Sequence, residues 1–379
     1  MLTMIGSGSP YGIATARDGA LWFTLVHEGR VGRLVPGGRP EIHQLDPADG
    51  QPTVIVRGHD DAMWFSEMKG GRVTRITTDG RRTVHAVDSP FGLAAGPDGA
   101  MWVTQMQTDR IGRIAADGAI TSYEVPVKGG MPSFITAGPD DALWFTLNQG
   151  NAIGRISLSG EVTVHALPTE GAAPVGITRG PDDALWFVEI GAGQIGRIDV
   201  NGKITEYPLP DRAARPHAII PGPDGALWFT EWGLGRLARI TVDGHITEHP
   251  LPSVPAPAER AEEAQGSNGE GGDTSRATNP EHEPTSRATN PEHEPTSRAT
   301  NAEHEDAPQA TNPGHDDTPQ ETNAGREDTS RGSSAEHQAA GQGPGTERRA
   351  EPHGLTVGPD GAIWVALEAG ALARVESTT

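Results

Sequence analysis

Four side chains break a repeated pattern in this sequence, and their types suit the binding of a cation and the movement of a proton. His217 and His353 each follow a proline, where the equivalent positions hold Tyr11, Thr53, Phe91, Ser133 and Val175. Glu351 precedes the last of those prolines, where the other copies carry Ser9, Gln51, Ser89, Met131, Ala173 and Arg215. Glu368 stands four residues after the last recurring tryptophan, in a slot otherwise filled by Val26, Met68, Met106, Asn148, Ile190 and Trp232. Two carboxylates flanking an imidazole suit Mg²⁺, a hard ion that takes oxygen ligands and keeps several waters. A zinc site on His217, His353 and one carboxylate is the second reading, since two carboxylates favour the harder ion. A surface histidine between two solvated glutamates is the bland alternative, and the coincidence of three departures at one rim counts against it.

The elements that must position these residues follow from the repeat. The run GPDGALWFTE around Trp228 recurs around Trp22, Trp64, Trp102, Trp144, Trp186 and Trp364, at steps of 42, 38, 42, 42, 42 and 136 residues once Trp228 is put in its place. Within one copy, Pro174 to Pro210, four short apolar or alternating segments are separated by Pro-Asp-Asp, Gly-Ala-Gly and Asn-Gly turns, a pattern of strands too short to be helices. One four-stranded sheet per repeat of about 40 residues is a propeller blade. The fold class is therefore all-β, a seven-bladed β-propeller, with residues Met1 to Gly6 supplying the strand that the last blade lacks. The proline-flanked position begins the strand lining the central channel, so His217 and His353 lie side by side and ring closure brings Tyr11 next to His353. A hairpin turning about Asp360 and Gly361 pairs residues whose numbers sum to 721, which sets His353 opposite Glu368 at about 5 Å between Cβ atoms. Glu351 falls on the same rim. Glu67, Glu189 and Glu231 recur in a slot of their own and read as scaffold; the seven tryptophans read as wedges between blades, and Arg33, Arg75, Arg113, Arg155, Arg197 and Arg239 as structural or solvated.

Blades one to six occupy residues 1–252 and blade seven residues 351–379. Between them, residues 253–350 abandon the repeat for TSRATNPEHEP, present twice and then decaying, with 19 acids against 8 bases and few apolar residues. Such a segment cannot bury enough surface to fold and is expected to be a disordered, low-complexity insert. The absence of cysteine excludes disulfides and thiolate metal sites. A formal charge of −21 argues against nucleic acid and anionic membranes as partners, because both need clustered Lys and Arg. With no leader-like start and no long apolar run, the expectation is a soluble cytoplasmic protein, and a closed ring can stand alone as a monomer.

The segments SPYGI at 9–13, PSFIT at 132–136, PVGIT at 174–178, ARPHAI at 214–219, LWFTEWG at 227–233, AEPHG at 350–354 and IWVALE at 363–368 resemble the virginiamycin B lyases, or streptogramin B lyases, over all seven blades. The resemblance implies an enzyme that opens a small cyclic depsipeptide antibiotic at its ester bond by elimination, without water, and so confers resistance. It further implies Mg²⁺ as cofactor on Glu351 and Glu368, His353 as catalytic base, His217 as a second active-site histidine, and Tyr11 as a substrate-side aromatic. The chemistry is coherent, since removing a weakly acidic α-proton calls for a base near neutrality and positive charge on the adjacent carbonyl oxygen. A lactonase-type hydrolase with a metal-activated hydroxide and a non-catalytic peptide-binding propeller remain as alternatives.

Overall fold

Each tryptophan repeat forms one four-stranded antiparallel sheet, and seven of these sheets make a ring. The computed structural model describes residues 1–6, 8–255 and 347–377. The disorder expected of the insert concerns residues 256–346, which lie outside the described residues. In blade five the chain runs outward from the channel through Pro174–Arg179, Leu185–Glu189, Gln194–Ile198 and Ile204–Pro208. The second strand is buried at every position in each blade, because both of its faces pack against neighbouring sheets. Its tryptophan and following phenylalanine or valine fill the gaps between blades. Among the described residues no helix is long and apolar enough to cross a membrane.

Three local devices recur and set where the inner strands end. At the face where second strands begin, a turn aspartate takes a recurring arginine in all seven blades, Arg33 with Asp18 through Arg374 with Asp360. In six blades the same aspartate also accepts the tryptophan indole N–H, at 2.9 Å for Trp186 and Asp182. The arginines are thus structural. At the middle of the blade, a hydroxyl stitches one blade to the next: Thr24 accepts from Gly12 N at 2.8 Å and donates to the Thr53 carbonyl at 2.7 Å. Thr230 does the same between Ala218 N and the carbonyl of His353. At the far face, each inner strand opens with a β-bulge directly after its proline, between Pro352 and Leu355 in blade seven and at the six equivalent places. A bulge puts two residues opposite one and re-aims the side chains there.

The ring closes through the N-terminus. Leu2–Met4 pairs with Ala371–Val375, Leu2 opposite Ala373 and Met4 opposite Ala371, so the first residues complete the last blade. The edges of the insert belong to the propeller: Val254 and Arg348 exchange backbone hydrogen bonds of 3.0 and 2.9 Å, and Val254 and Ala350 are buried in the core between blades six and seven.

Candidate active site

The turn and the bulge together correct the register read from the sequence by one residue each, and explain how blade seven presents its chemistry. Beyond the bulge the hairpin pairs Leu355 with Val365 and Thr356 with Trp364; before it, Pro352 pairs with Leu367. Glu368 N donates to the carbonyl of Glu351 at 3.0 Å, so Glu368 faces Glu351 and not His353. The extra residue in the bulge turns the His353 side chain back across the rim, and its Nε2 meets Glu368 Oε2 at 2.6 Å. The contact expected from simple pairing therefore forms by a different route.

His353, His217 and Tyr11 come together at one mouth of the tunnel. The two imidazole centroids are 5.1 Å apart at 88°, and the Tyr11 ring lies 4.5 Å from His353. The Tyr11 hydroxyl is 3.3 Å from His217 Nε2. Phe134 and Trp232 flank the group, at 6.1 Å from His217 and 6.3 Å from His353. Below lies an apolar cavity of about 220 Å³ lined by Ile55, Leu93, Ile135, Ile177, Ile219 and Leu355 among others. Each of these side chains comes from the inner strand of a different blade, so the ring itself makes the site.

Electrostatics set the charge of His217, Tyr11 and Glu368. Burial, aided by the neighbouring His353, pushes the His217 pKa down to about 3, so His217 is neutral. Burial first and the Glu368 charge second raise the Tyr11 pKa, so Tyr11 keeps its proton. The hydrogen bond from His353 pulls Glu368 down to about 2 against the opposing effect of burial, leaving a carboxylate throughout the working range. Among the described residues, the buried Nδ1 atoms of both His353 and His217 have no hydrogen-bond partner. Buried polar atoms without partners are uncommon and point to a ligand that supplies the missing bond.

One participant escaped the sequence reading. His27 Nε2 lies 2.8 Å from Glu368 Oε1, so both carboxylate oxygens are held by imidazoles, one from blade one and one from blade seven. The available signal was a histidine five residues after Trp22, where the other blades carry Lys69, Gln107, Gln149, Gly191, Gly233 and Ala369. Glu351 reaches the rim through its backbone, but among the described residues its carboxylate joins no hydrogen bond of this group. No three acidic or imidazole side chains among the described residues are placed to cage a metal ion.

Residues 3–262 match the virginiamycin B lyase family. The chain belongs to that family. Short segments are also similar to curated family members: 60% identity over 40 residues with a virginiamycin B lyase of Saccharopolyspora erythraea, covering 11% of this chain and 13% of that protein, and 54% over 43 residues with one of Nocardia farcinica, 11% and 15% of the two chains. These matches span well under a fifth of either relative. Among solved structures, a streptogramin B lyase aligns at 31% identity and a TM-score of 0.71, over 99% of this chain and 97% of that one. A catalytically inactive histidine-to-alanine variant of virginiamycin B lyase from Staphylococcus aureus, solved with quinupristin, aligns at 30% identity with the same TM-score and coverage.

Proposed function

We propose that this virginiamycin B lyase family member linearises type B streptogramins, cyclic depsipeptide antibiotics, by β-elimination at the ester bond. The observation that carries the reading is the His353 imidazole, anchored through Nε2 on Glu368 with a buried, unpartnered Nδ1 at the tunnel mouth. A carboxylate accepting from Nε2–H fixes the neutral tautomer and leaves the lone pair on Nδ1, the arrangement a general base needs. His217 is complementary. With the Tyr11 hydroxyl donating to Nε2, the proton of neutral His217 sits on Nδ1 and is available to a substrate oxygen.

In this reading His353 Nδ1 takes the proton from the carbon next to the carbonyl. The freed electron pair forms the carbon–carbon double bond, the bond from the β-carbon to the ester oxygen breaks, and its pair leaves on the carboxylate. No water enters. The related structure with quinupristin, in which loss of one histidine gives inactivity, supports both the substrate class and the importance of an imidazole.

The donor chemistry at the rim fits Mg²⁺ as a water-rich ion on Glu351 and Glu368, whose backbones are joined by a hydrogen bond, better than it fits a closed zinc cage. Bound there, Mg²⁺ would supply positive charge for the enolate-like carbonyl oxygen.

The test is mass spectrometry of a type B streptogramin incubated with the protein, with and without chelator. A linear product of unchanged mass is expected. A product heavier by one water makes the protein a hydrolase, and binding without turnover makes it a peptide-binding propeller.

A further inference from the structure

Elimination from an ester releases a carboxylate, and the rim around His353 already carries Glu351 and Glu368. A departing anion therefore needs a cationic group of its own. Resting on the elimination reading, we infer that Arg215, stacked on Trp232, is an anion subsite that receives the carboxylate as it leaves.

Both residues are departures of blade six from the repeat. The position before the inner-strand proline holds Ser9, Gln51, Ser89, Met131, Ala173 and Glu351 in the other blades, so Arg215 is its one cation. The left-handed backbone of Arg215, φ 49 and ψ 65, is shared with Gln51, Ser89, Met131 and Ala173 at φ 46 to 53. The blade thus imposes the backbone shape, and only the guanidinium is peculiar to blade six. Its central carbon lies 5.2 Å from the centroid of the Trp232 ring, a cation–π distance. The arrangement adjoins the site, since the Trp232 ring is 6.3 Å from His353, and Arg215 immediately precedes the inner strand Pro216–Pro221 that carries His217.

The charge is also uncommitted. The repeat arginines are paired with aspartates, as Arg197 is with Asp182 at 2.7 Å. Arg212, three residues before, bonds Gln194. Among the described residues no carboxylate lies within ion-pair distance of Arg215, and its side chain is exposed. A guanidinium lying over an indole can still offer its planar fork for two parallel hydrogen bonds to a carboxylate. The uncharged ester of the intact ring offers no such partner, so the interaction strengthens as the bond breaks, which is the condition for lowering a barrier.

The test compares Arg215→Gln and Arg215→Lys with the unmodified protein, using a type B streptogramin as substrate and its purified linear product as inhibitor. Arg215→Gln is expected to lower kcat by about 10- to 100-fold and weaken product inhibition by about tenfold, with KM for the uncharged ring within about twofold, as befits hydrogen bonds to a charged group. Arg215→Lys should recover part of both. Trp232→Leu, which keeps the guanidinium but removes its platform, should show a smaller loss in the same two quantities. Product inhibition and kcat unchanged in a folded Arg215→Gln protein overturn the inference. So does a fall in kcat with product affinity intact. If the unmodified protein yields no linear product of equal mass, the elimination reading itself fails, whatever Arg215 does.

Discussion

The two ends of the tunnel are built from the same strands, yet one repeats its polar contacts in every blade and the other does not. At the scaffold end, Asp182 accepts from Trp186 Nε1 at 2.9 Å and from Arg197 Nε at 2.7 Å. Burial pulls its pKa upward, but those two hydrogen bonds outweigh it and hold the carboxyl below its ordinary value. The arrangement recurs from blade to blade, and the buried atoms left unpaired there, Trp22 Nε1, Arg33 Nε, His43 Nε2 and His249 Nε2, belong to the repeated tryptophan and arginine sets or to histidines packed on the tryptophans. At the site end, repetition stops: two imidazole nitrogens are buried without partners among the described residues, and a carboxylate bridges two histidines from different blades. A ring of similar sheets thus lets one end repeat a structural contact while the other gathers side chains that depart from the repeat.

The sharpest way to break this comparison is at the unpaired nitrogen. His353→Ala should reduce kcat by about 10²- to 10⁴-fold, the usual contribution of a general base, with the circular dichroism and unfolding midpoint of the unmodified protein. A large fall in the unfolding midpoint with turnover intact would place His353 on the scaffold side. Next comes Glu368→Gln, which keeps the shape but removes the charge that fixes the His353 tautomer. We expect kcat to fall by about 10- to 100-fold, as for other groups that orient a reactive imidazole. The measurement is steady-state kinetics alongside magnesium titration, because an effect on magnesium affinity alone would assign Glu368 to the ion and not to His353.

How much of this was legible in the sequence divides along the same line. The scaffold end is local and repeated: tryptophan spacing counted the blades, turn residues separated the strands, and the unfinished last repeat called for the N-terminal strand that Leu2–Met4 provides. Convergence of Tyr11, His217 and His353 was also readable, because it needs only the ring order of inner strands. What was not readable depends on geometry that sequence spacing does not carry. The turn places the hairpin one residue away from the register read about Asp360 and Gly361, and the bulge after the proline adds a second, so Glu368 pairs with Glu351 in place of His353. His27 reaches Glu368 only across the seam where the ring closes. The recurring glutamates looked alike, yet Glu67 pairs with Arg72 and Glu231 with Arg236, whereas Glu189 meets the neutral Gln194.

That last difference gives a scaffold exception and a third prediction. Burial pushes Glu189 up from an ordinary 4.5 to about 7, with the hydrogen bond from Gln194 working against it. In the folded chain it holds its proton up to that pH, while the unfolded chain releases it near the ordinary value. Stability therefore falls as pH rises between about 4.5 and 7, and the whole penalty stands above that window. Glu189→Gln removes the titration, so its advantage over the unmodified protein should grow by about 3 kcal/mol from pH 4 to pH 8. Urea unfolding at the two pH values measures it, and parallel stability curves would show that Glu189 is ionised in the fold.

The smallest expected effect tests whether the two ends are separable. Asp182 lies in blade five, which contributes neither histidine of the site. Asp182→Ala leaves the buried indole N–H of Trp186 without its acceptor and frees Arg197, a loss of about 1–3 kcal/mol for an unsatisfied buried donor. The arginine keeps some access to water, which limits its share of the cost. The unfolding midpoint should drop accordingly, while kcat and KM below that midpoint stay within about twofold, since inner-strand pairing and the clip from Thr146 to the Val175 carbonyl lie between the mutation and the mouth. A kinetic defect as large as that of Glu368→Gln would mean that the Trp–Asp–Arg sets hold the inner strands in register, and that the catalytic end borrows its geometry from the structural one.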